Sequence, residues 1–176
     1  MDQQIIIRRC TVADAPALSA LAMRTFEHTF TGTCTAEDMA HFLSHYYNVA
    51  QMSKELSDPA DHIFFAIHQE QPIGYIRFGE NEMPFDYDRS LKPLELNRLY
   101  IDASFKGRGV ARQLMDFYES FAAEHGYKML WLGVWEHNQR AQAFYRKYGF
   151  VFTGHTHPFP VGNTPQTDEW WVKVIS

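Results

Sequence analysis

The fold is decided by residues 94–111, which read Leu94-Glu-Leu-Asn-Arg-Leu-Tyr-Ile-Asp-Ala-Ser-Phe-Lys-Gly-Arg-Gly-Val-Ala111. Apolar residues alternate at 94 and 96 and resume at 99 and 101, so the period-two pattern of a strand slips by one residue. Because strand alternation cannot slip without an extra residue, the pattern predicts a β-bulge near Asn97–Arg98. A bulge would splay the strand from its neighbour and free backbone groups for a flexible ligand chain. An exposed strand edge is the alternative interpretation.

A glycine-rich loop, Lys106-Gly107-Arg108-Gly109-Val110-Ala111, joins this strand to a predicted helix. Glycines allow positive φ and a close approach of the backbone to a ligand. The unpaired first-turn amides of a helix attract anions, and Lys106 and Arg108 add positive charge. The loop is therefore typical of a pyrophosphate cradle, although a plain tight turn gives the same pattern. It is not a Walker loop, since no Gly-Lys-Ser/Thr follows, nor a dinucleotide fingerprint, since Arg112 replaces the third glycine.

The rest of the chain supplies strands and helices around this stretch. Residues 94–101, 110–125 and 129–135 form a strand–helix–strand unit, whose strands should be parallel. A hairpin before the unit and closing strands after it should be antiparallel. The predicted fold class is mixed α/β, with a mostly antiparallel central sheet around a parallel βαβ core. The other predicted elements are strands at 5–8, 63–68, 73–78, 150–154 and 170–175, and helices from Thr11, over 35–56 and over 138–148.

Length and composition restrict the class of protein. The 176 residues fit one domain with a sizeable core. Cys10 and Cys34 have no paired spacing, so neither a disulfide framework nor a zinc ribbon is expected, and the cytoplasm is the expected compartment. A net charge of −5 argues against a nucleic-acid partner and is compatible with a cationic substrate. No membrane partner is expected, because no long apolar run occurs and Met1-Asp2-Gln3-Gln4 lacks signal-peptide features.

Two motifs together resemble the GNAT family of acetyl-CoA-dependent N-acetyltransferases. Lys106-x-x-Gly109-x-Ala111 after a bulged strand is similar to that family's pyrophosphate signature, Gln/Arg-x-x-Gly-x-Gly/Ala, with lysine as a departure at the first position. Asn138-Gln-Arg-Ala141-Gln-Ala-Phe-Tyr145-Arg-Lys-Tyr-Gly149-Phe150 resembles the second motif, which ends in Gly-Phe.

This resemblance implies the GNAT (acyl-CoA N-acyltransferase) fold, a single N-acetyltransferase domain over residues 1–176, and acetyl-CoA as the co-substrate without a metal. The residues expected to contact acetyl-CoA are Leu99, Tyr100, Ile101, Lys106, Gly107, Arg108, Gly109, Val110, Ala111, Asn138 and Ala141.

An amine acceptor must lose a proton before it attacks a thioester, because an alkylammonium has a pKa near ~10.4. Glu95, at a strand position where the family often carries its base, is the predicted general base; a solvated carboxylate is the alternative, and Asn97 or water could share the role. Tyr145, where the family places its acid, is the predicted proton donor to the leaving thiolate; a core tyrosine is the alternative. Backbone N–H groups at 99–101 should hold the thioester carbonyl. Asn138 should both cap its helix and contact the ligand.

A narrower resemblance concerns the acceptor. Segments 26–31, 96–100 and 131–136, and the ending His157-Pro-Phe-x-x-Gly162 with Asp168, are similar to the spermidine/spermine acetyltransferase (PaiA-like) branch. This resemblance implies a small primary amine as the acceptor, cationic and of the polyamine class. The alternatives are a protein or peptide N-acetyltransferase and a non-catalytic acetyl-CoA-binding regulatory module.

Three further patterns concern partners and ions. The acidic residues within 80–88 could attract a polyamine, although a solvated loop gives the same pattern. His41 and His45, four residues apart on a predicted helix, are interpreted as exposed histidines rather than metal ligands. Trp170 and Trp171 on a closing strand indicate a buried surface, and a homodimer is possible because dimers are common among such enzymes.

Overall fold

A central sheet with helices on both faces organises residues 4–176, the part of the chain that the computed structural model describes. Residues 1–3, and with them most of the stretch searched for signal-peptide features, lie outside the described residues. Within 4–176, no helix is both long and apolar enough to cross a bilayer. The strands are β1 (Ile6–Arg9), β2 (Asp61–His68), β3 (Gln71–Gly79), β4 (Pro93–Ile101), β5 (Met129–Trp135), β6 (Val151–Pro158) and β7 (Thr167–Val174). The helices are α1 (Ala15–Phe30), α2 (Ala36–Tyr46), α3 (Val49–Ser57), α4 (Val110–Glu124) and α5 (Gln139–Lys147).

The seven strands lie in the order β1-β2-β3-β4-β5-β7-β6. β4 and β5 are parallel and joined through α4, and the other neighbouring pairs of these strands are antiparallel. The predicted mixed sheet around a parallel βαβ core is therefore confirmed. The two closing strands are longer than predicted, and β7 lies between β5 and β6.

The core has two parts because successive side chains of a strand point to opposite faces of the sheet. On one face, Leu94 and Leu96 pack against α4, which buries Leu114 and Tyr118. The Tyr118 hydroxyl donates a 2.8 Å hydrogen bond to the Leu94 carbonyl and so ties α4 to β4. On the other face, a second cluster holds α1, α2 and α3 against the sheet; its members include Leu18, Phe26, Phe42, Met52, Phe65 and Tyr75.

The predicted β-bulge lies in β4 at Asn97. Arg77 of β3 pairs with Arg98, but the next residue, Phe78, pairs with Leu96, so Asn97 has no partner on β3. On the other side of β4, the parallel ladder ends at Leu96, which pairs with Leu132 of β5. The alternative of an exposed edge is wrong, since β4 is a central strand. Beyond Leu96 the two parallel strands no longer pair, which opens the sheet between them.

The single helix predicted over 35–56 is wrong, because the structure has two helices there. α2 ends at Tyr46 and α3 begins at Val49. Asn48 starts the second helix: its side-chain oxygen accepts a 2.8 Å hydrogen bond from the Gln51 N–H, as an N-cap residue does. The break buries Tyr47 under α1, which continuous helical spacing does not reveal.

Trp170 and Trp171, on which the dimer prediction drew, pack within their own chain. Trp171 is 1% exposed and lies in the core of its own chain, where its indole N–H donates a 2.9 Å hydrogen bond to Glu169. Trp170 stacks on His157, with ring centroids 3.8 Å apart. Both side chains thus serve packing within the chain, and they give no support to a dimer.

Candidate active site

The loop between β4 and α4 presents backbone N–H groups to open space. Gly107 and Gly109 have φ values of 80° and 79°, which favour glycine. A Cβ at Gly109 would meet no heavy atom within 4 Å, so the volume beside the loop is free for a ligand. The N–H groups of Val110, Ala111 and Arg112 lie in the first turn of α4, where no intrahelical acceptor precedes them. This arrangement attracts an anion.

A cavity of about 340 Å³ adjoins this loop, and we call it the loop cavity. Three cationic side chains line it. Arg112 lies 3.8 Å from Asp116, whereas Lys106 and Arg140 form no salt bridge within residues 4–176. Burial lowers the pKa of Lys106, and the charge of Arg140 acts in the same direction. Two unpaired cations beside free N–H groups make the cavity a site for a multiply charged anion.

Every residue predicted to contact the co-substrate lines the loop cavity, except Arg108. The guanidinium of Arg108 lies 5.1 Å from the Phe105 ring centroid and does not line the loop cavity. The prediction missed Arg140 and Phe144, whose only signal was their position within the second motif. The predicted residues that line the cavity are Leu99, Tyr100, Ile101, Lys106, Gly107, Gly109, Val110, Ala111, Asn138 and Ala141.

A second cavity, of about 300 Å³, lies on the other side of the gap between β4 and β5, and we call it the carboxylate cavity. Its carboxylates include Glu95 from β4 and Asp168 from β7. Its aromatic wall consists of Phe30, Tyr46, Tyr47, Tyr100, Trp135, Tyr145 and Phe159. Aromatic walls and two carboxylates suit a ligand that carries both apolar carbon and positive charge.

The two cavities meet at Tyr145. This residue, together with Leu99, Tyr100, Asn138 and Ala141, lines both of them. Asn138 fixes the start of α5 as predicted, since its side-chain oxygen accepts a 3.1 Å hydrogen bond from the Ala141 N–H. The Tyr145 ring packs against Phe150 at 5.9 Å, so it is at once a core residue and a cavity residue. Burial raises the pKa of the Tyr145 hydroxyl, which therefore keeps its proton at neutral pH.

Glu95 is half-buried in the wall of the carboxylate cavity. Its carboxylate accepts a 2.7 Å hydrogen bond from the side-chain amide of Asn81. Burial raises the pKa of Glu95, while the hydrogen bond from Asn81 and the charge of Arg77 oppose that change. A partly desolvated carboxylate is a stronger proton acceptor than a freely solvated one.

The arginines of the carboxylate cavity are already neutralised by carboxylates. Arg98 donates two hydrogen bonds to Glu55, of 2.7 and 3.0 Å. Arg77 donates two to Asp61, of 3.0 and 2.8 Å. Within residues 4–176, Glu95 and Asp168 form no salt bridge with lysine or arginine. The cavity therefore carries excess negative charge.

Asp168 lines the carboxylate cavity, although the sequence analysis assigned it no role. Burial and the nearby charge of Glu136 raise the pKa of Asp168 to about 7. The nearest basic group is His157, whose Nε2 lies 3.8 Å from the Asp168 carboxylate. The only sign of Asp168 in the sequence was its place in the PaiA-like ending.

The remaining acidic and histidine patterns lie away from both cavities. Glu80 pairs with Lys92 at 2.7 Å, and Glu82 pairs with Arg89 at 3.2 Å, so these acids of the 80–88 loop are engaged locally. The part of the chain that the structure describes contains no group of three or more His, Cys, Asp or Glu residues arranged to hold a metal ion.

Comparison with known proteins gives the family. The model of the acetyltransferase (GNAT) family matches residues 18–150. The chain belongs to the GNAT family. An uncharacterised N-acetyltransferase of Lactobacillus delbrueckii subsp. lactis is 33% identical over 164 residues, and the match covers 92% of each chain. An uncharacterised N-acetyltransferase of Mycobacterium tuberculosis is 34% identical over 164 residues, covering 93% of this chain and 99% of the relative.

The GNAT fold is also seen in the solved structures that this chain resembles. The crystal structure of the PaiA N-acetyltransferase of Thermoplasma acidophilum in complex with coenzyme A matches with a TM-score of 0.77 and 19% sequence identity, covering 94% of this chain and 98% of that one. The predicted family, fold and co-substrate are confirmed: the chain is a GNAT N-acetyltransferase that uses acetyl-CoA.

Proposed function

We propose that this GNAT enzyme, acting as one domain over residues 1–176, acetylates a small cationic primary amine of the polyamine class. The observation that carries the proposal is the charge of the carboxylate cavity. Arg77 and Arg98 are neutralised by Asp61 and Glu55, whereas Glu95 and Asp168 face the cavity without a lysine or arginine partner among the described residues. A cationic acceptor supplies the missing positive charge.

The loop cavity fits the co-substrate. The free N–H groups of Val110 and Ala111, with Lys106 and Arg140, suit the pyrophosphate. The gap between β4 and β5 beyond Leu96 suits a narrow chain that pairs with backbone groups at 99–101. Acetyl-CoA supplies an activated thioester, and its reactive end would lie where the two cavities meet.

Glu95 and Tyr145 are the groups that we propose for the two proton transfers of amine acetylation. The carboxylate of Glu95 accepts the ammonium proton of the acceptor, directly or through one water, because the amine is mostly protonated at neutral pH. The hydroxyl of Tyr145 donates a proton to the leaving sulfur. Its raised pKa means that this hydroxyl is protonated at neutral pH. The N–H groups at 99–101 hold the carbonyl oxygen.

The cytoplasm is the setting that we propose, because Cys10 and Cys34 are free thiols, as expected in a reducing compartment. A homodimer stays a prediction. The residues that line the carboxylate cavity and the loop cavity all come from one copy of the chain.

An acceptor panel tests the proposal. Release of the free thiol of CoA is followed with acetyl-CoA and each of spermidine, putrescine, butylamine, a lysine-containing peptide and a peptide with a free N-terminus. We expect kcat/KM to be highest for the polyamines. Activity confined to the peptides, with none on the small amines, would overturn the substrate class and leave the fold and co-substrate unchanged.

A further inference from the structure

We infer that Asp168 binds a second ammonium group of the acceptor, remote from the nitrogen that is acetylated, and thereby selects diamines and polyamines over monoamines. This inference rests on the proposed function and deepens it. It assigns the specificity of the carboxylate cavity to a residue outside both family motifs.

The sheet register separates the two carboxylates of the cavity. Glu95 of β4 is level with Trp131 of β5, whereas Asp168 of β7 is level with Trp135. Four residues along β5 correspond to about 13 Å, at a rise of about 3.3 Å per residue. Such a separation between backbone levels favours two cationic centres on one ligand over a single shared ammonium.

The surroundings of Asp168 leave its charge without a permanent partner. On β6, His157 pairs in register with Asp168. The Nδ1 of His157 lies 3.0 Å from the Pro158 carbonyl oxygen, so Nδ1 carries the proton and Nε2 presents a lone pair towards Asp168. This Nε2 is buried and has no hydrogen-bond partner among the described residues.

The His157 ring is fixed in a position that keeps it neutral. It stacks on Trp170 at 3.8 Å, and burial lowers its pKa. Gly133 of β5 makes room for this stack, because a Cβ there would lie 2.9 Å from the Trp170 ring and 3.4 Å from His157 Nε2. A neutral imidazole beside Asp168 leaves the carboxylate available to a cation from the cavity.

Binding of an ammonium group to Asp168 has a consequence for protons. The titratable groups that act on Asp168 are His157 on β6 and Glu136 just after β5. With a pKa of about 7, Asp168 is partly protonated at pH 7. An ammonium favours the ionised form. A protonated Asp168 therefore loses its proton to solvent when the cation binds, and the resulting carboxylate pairs with the ammonium.

Kinetics with matched amines test the inference. Putrescine and butylamine share a four-carbon chain and differ in the second amino group. In Asp168→Asn, we expect KM for putrescine to rise at least about tenfold, as for the loss of a charged hydrogen bond, with kcat nearly unchanged. KM for butylamine should stay within about twofold of the wild-type value. An equal effect on both amines would overturn the inference, since it would indicate a structural role.

Calorimetry on the wild-type protein gives a second test that needs no variant. Putrescine and butylamine are titrated into the CoA-bound enzyme at pH 7 in buffers of different ionisation enthalpy. We expect putrescine to release a measurable fraction of a proton more than butylamine, because Asp168 is partly protonated there. The difference should decrease between pH 7 and pH 8, where more Asp168 is ionised before the amine binds and both amines stay protonated. Equal proton release by the two amines at pH 7 would refute the role of Asp168 but not the proposed function. Failure of every small amine to react would refute the proposed function.

Discussion

Arg98, which directly follows the bulge at Asn97 in β4, forms a bidentate ion pair with Glu55 of α3, with hydrogen bonds of 2.7 and 3.0 Å. Glu55 is 5% exposed and also contacts Arg77 at 3.2 Å. The pair therefore joins α3 to the strand that carries Glu95, and it holds the wall of the carboxylate cavity in place.

The first prediction concerns the stability that this ion pair provides. Glu55→Gln should lower the free energy of unfolding by about 3–5 kcal/mol, because it leaves the largely buried guanidinium of Arg98 without its counter-charge. Glu82→Gln, which removes the exposed partner of Arg89, is the control and should cost about 1 kcal/mol or less. Urea unfolding measures both. Equal losses in the two variants would contradict a stabilising role for the buried pair.

Binding of the co-substrate should depend on the charge at position 109. Gly109→Asp and Gly109→Asn introduce side chains of equal shape into open space, at a φ of 79° that asparagine and aspartate both tolerate. The aspartate variant should bind CoA at least about tenfold more weakly than the asparagine variant, because its charge opposes the pyrophosphate at the helix N-terminus. Isothermal calorimetry compares them, and matching affinities would remove the loop from the binding site.

Tyr145→Phe should reduce kcat by about a hundredfold or more, the usual range for the loss of a general acid, while CoA affinity stays nearly constant. Tyr148→Phe is the matched control on the same helix end: its hydroxyl donates to Asp116 at 2.8 Å and lies outside both cavities. The control should keep wild-type kcat. If the two variants turn over at the same rate, Tyr145 is a packing residue only.

Glu95→Gln should produce a defect in kcat/KM that shrinks as the pH rises from 7 towards 10. Below the pKa of the amine, each rise of one pH unit makes the free amine ~10-fold more abundant, so a protein base matters less at high pH. The pKa of Glu95 is raised by burial, so wild-type activity should fall towards low pH as this carboxylate takes up a proton. Rate profiles for the wild type, Glu95→Gln and the surface control Glu82→Gln test this. A constant ratio at every pH would count against the base.

Added salt should weaken the use of a polyamine more than that of a monoamine. Glu95 and Asp168 line a cavity open to solvent, and ionic strength screens exposed charges over about 10 Å at 0.1 M. We expect KM for spermidine to rise with sodium chloride, with a smaller change for butylamine and little change in kcat. Parallel responses of both amines would argue against charge as the basis of acceptor choice.

The parts of the fold that depend on local pattern were predictable. The phase slip between Leu96 and Leu99 located the bulge, since alternation along a strand reports side-chain direction residue by residue. The cap at Asn138 and the glycines of the loop were predictable for the same reason, because each acts on backbone groups within a few residues.

The parts that depend on distant contacts were not predictable. The break at Asn48 follows from burial of Tyr47 under α1, and helical spacing on either side conceals it. The position of β7 between β5 and β6 is a choice of partner that no local pattern encodes. Asp168 reaches the cavity only through that choice, which explains why the analysis of motifs gave it no role.

The insertion of β7 into the sheet has a consequence for biosynthesis. The ribosome synthesises β5 and β6 before β7, which lies between them in the sheet. The edges of β5 and β6 that pair with β7 therefore stay unpaired until residues 167–174 emerge. All residues that line the loop cavity precede β7 in the chain, whereas the carboxylate cavity still lacks Asp168 during this interval. The nascent chain should therefore acquire its capacity for CoA before it can discriminate among amines. Ligand present during translation would protect an otherwise aggregation-prone intermediate.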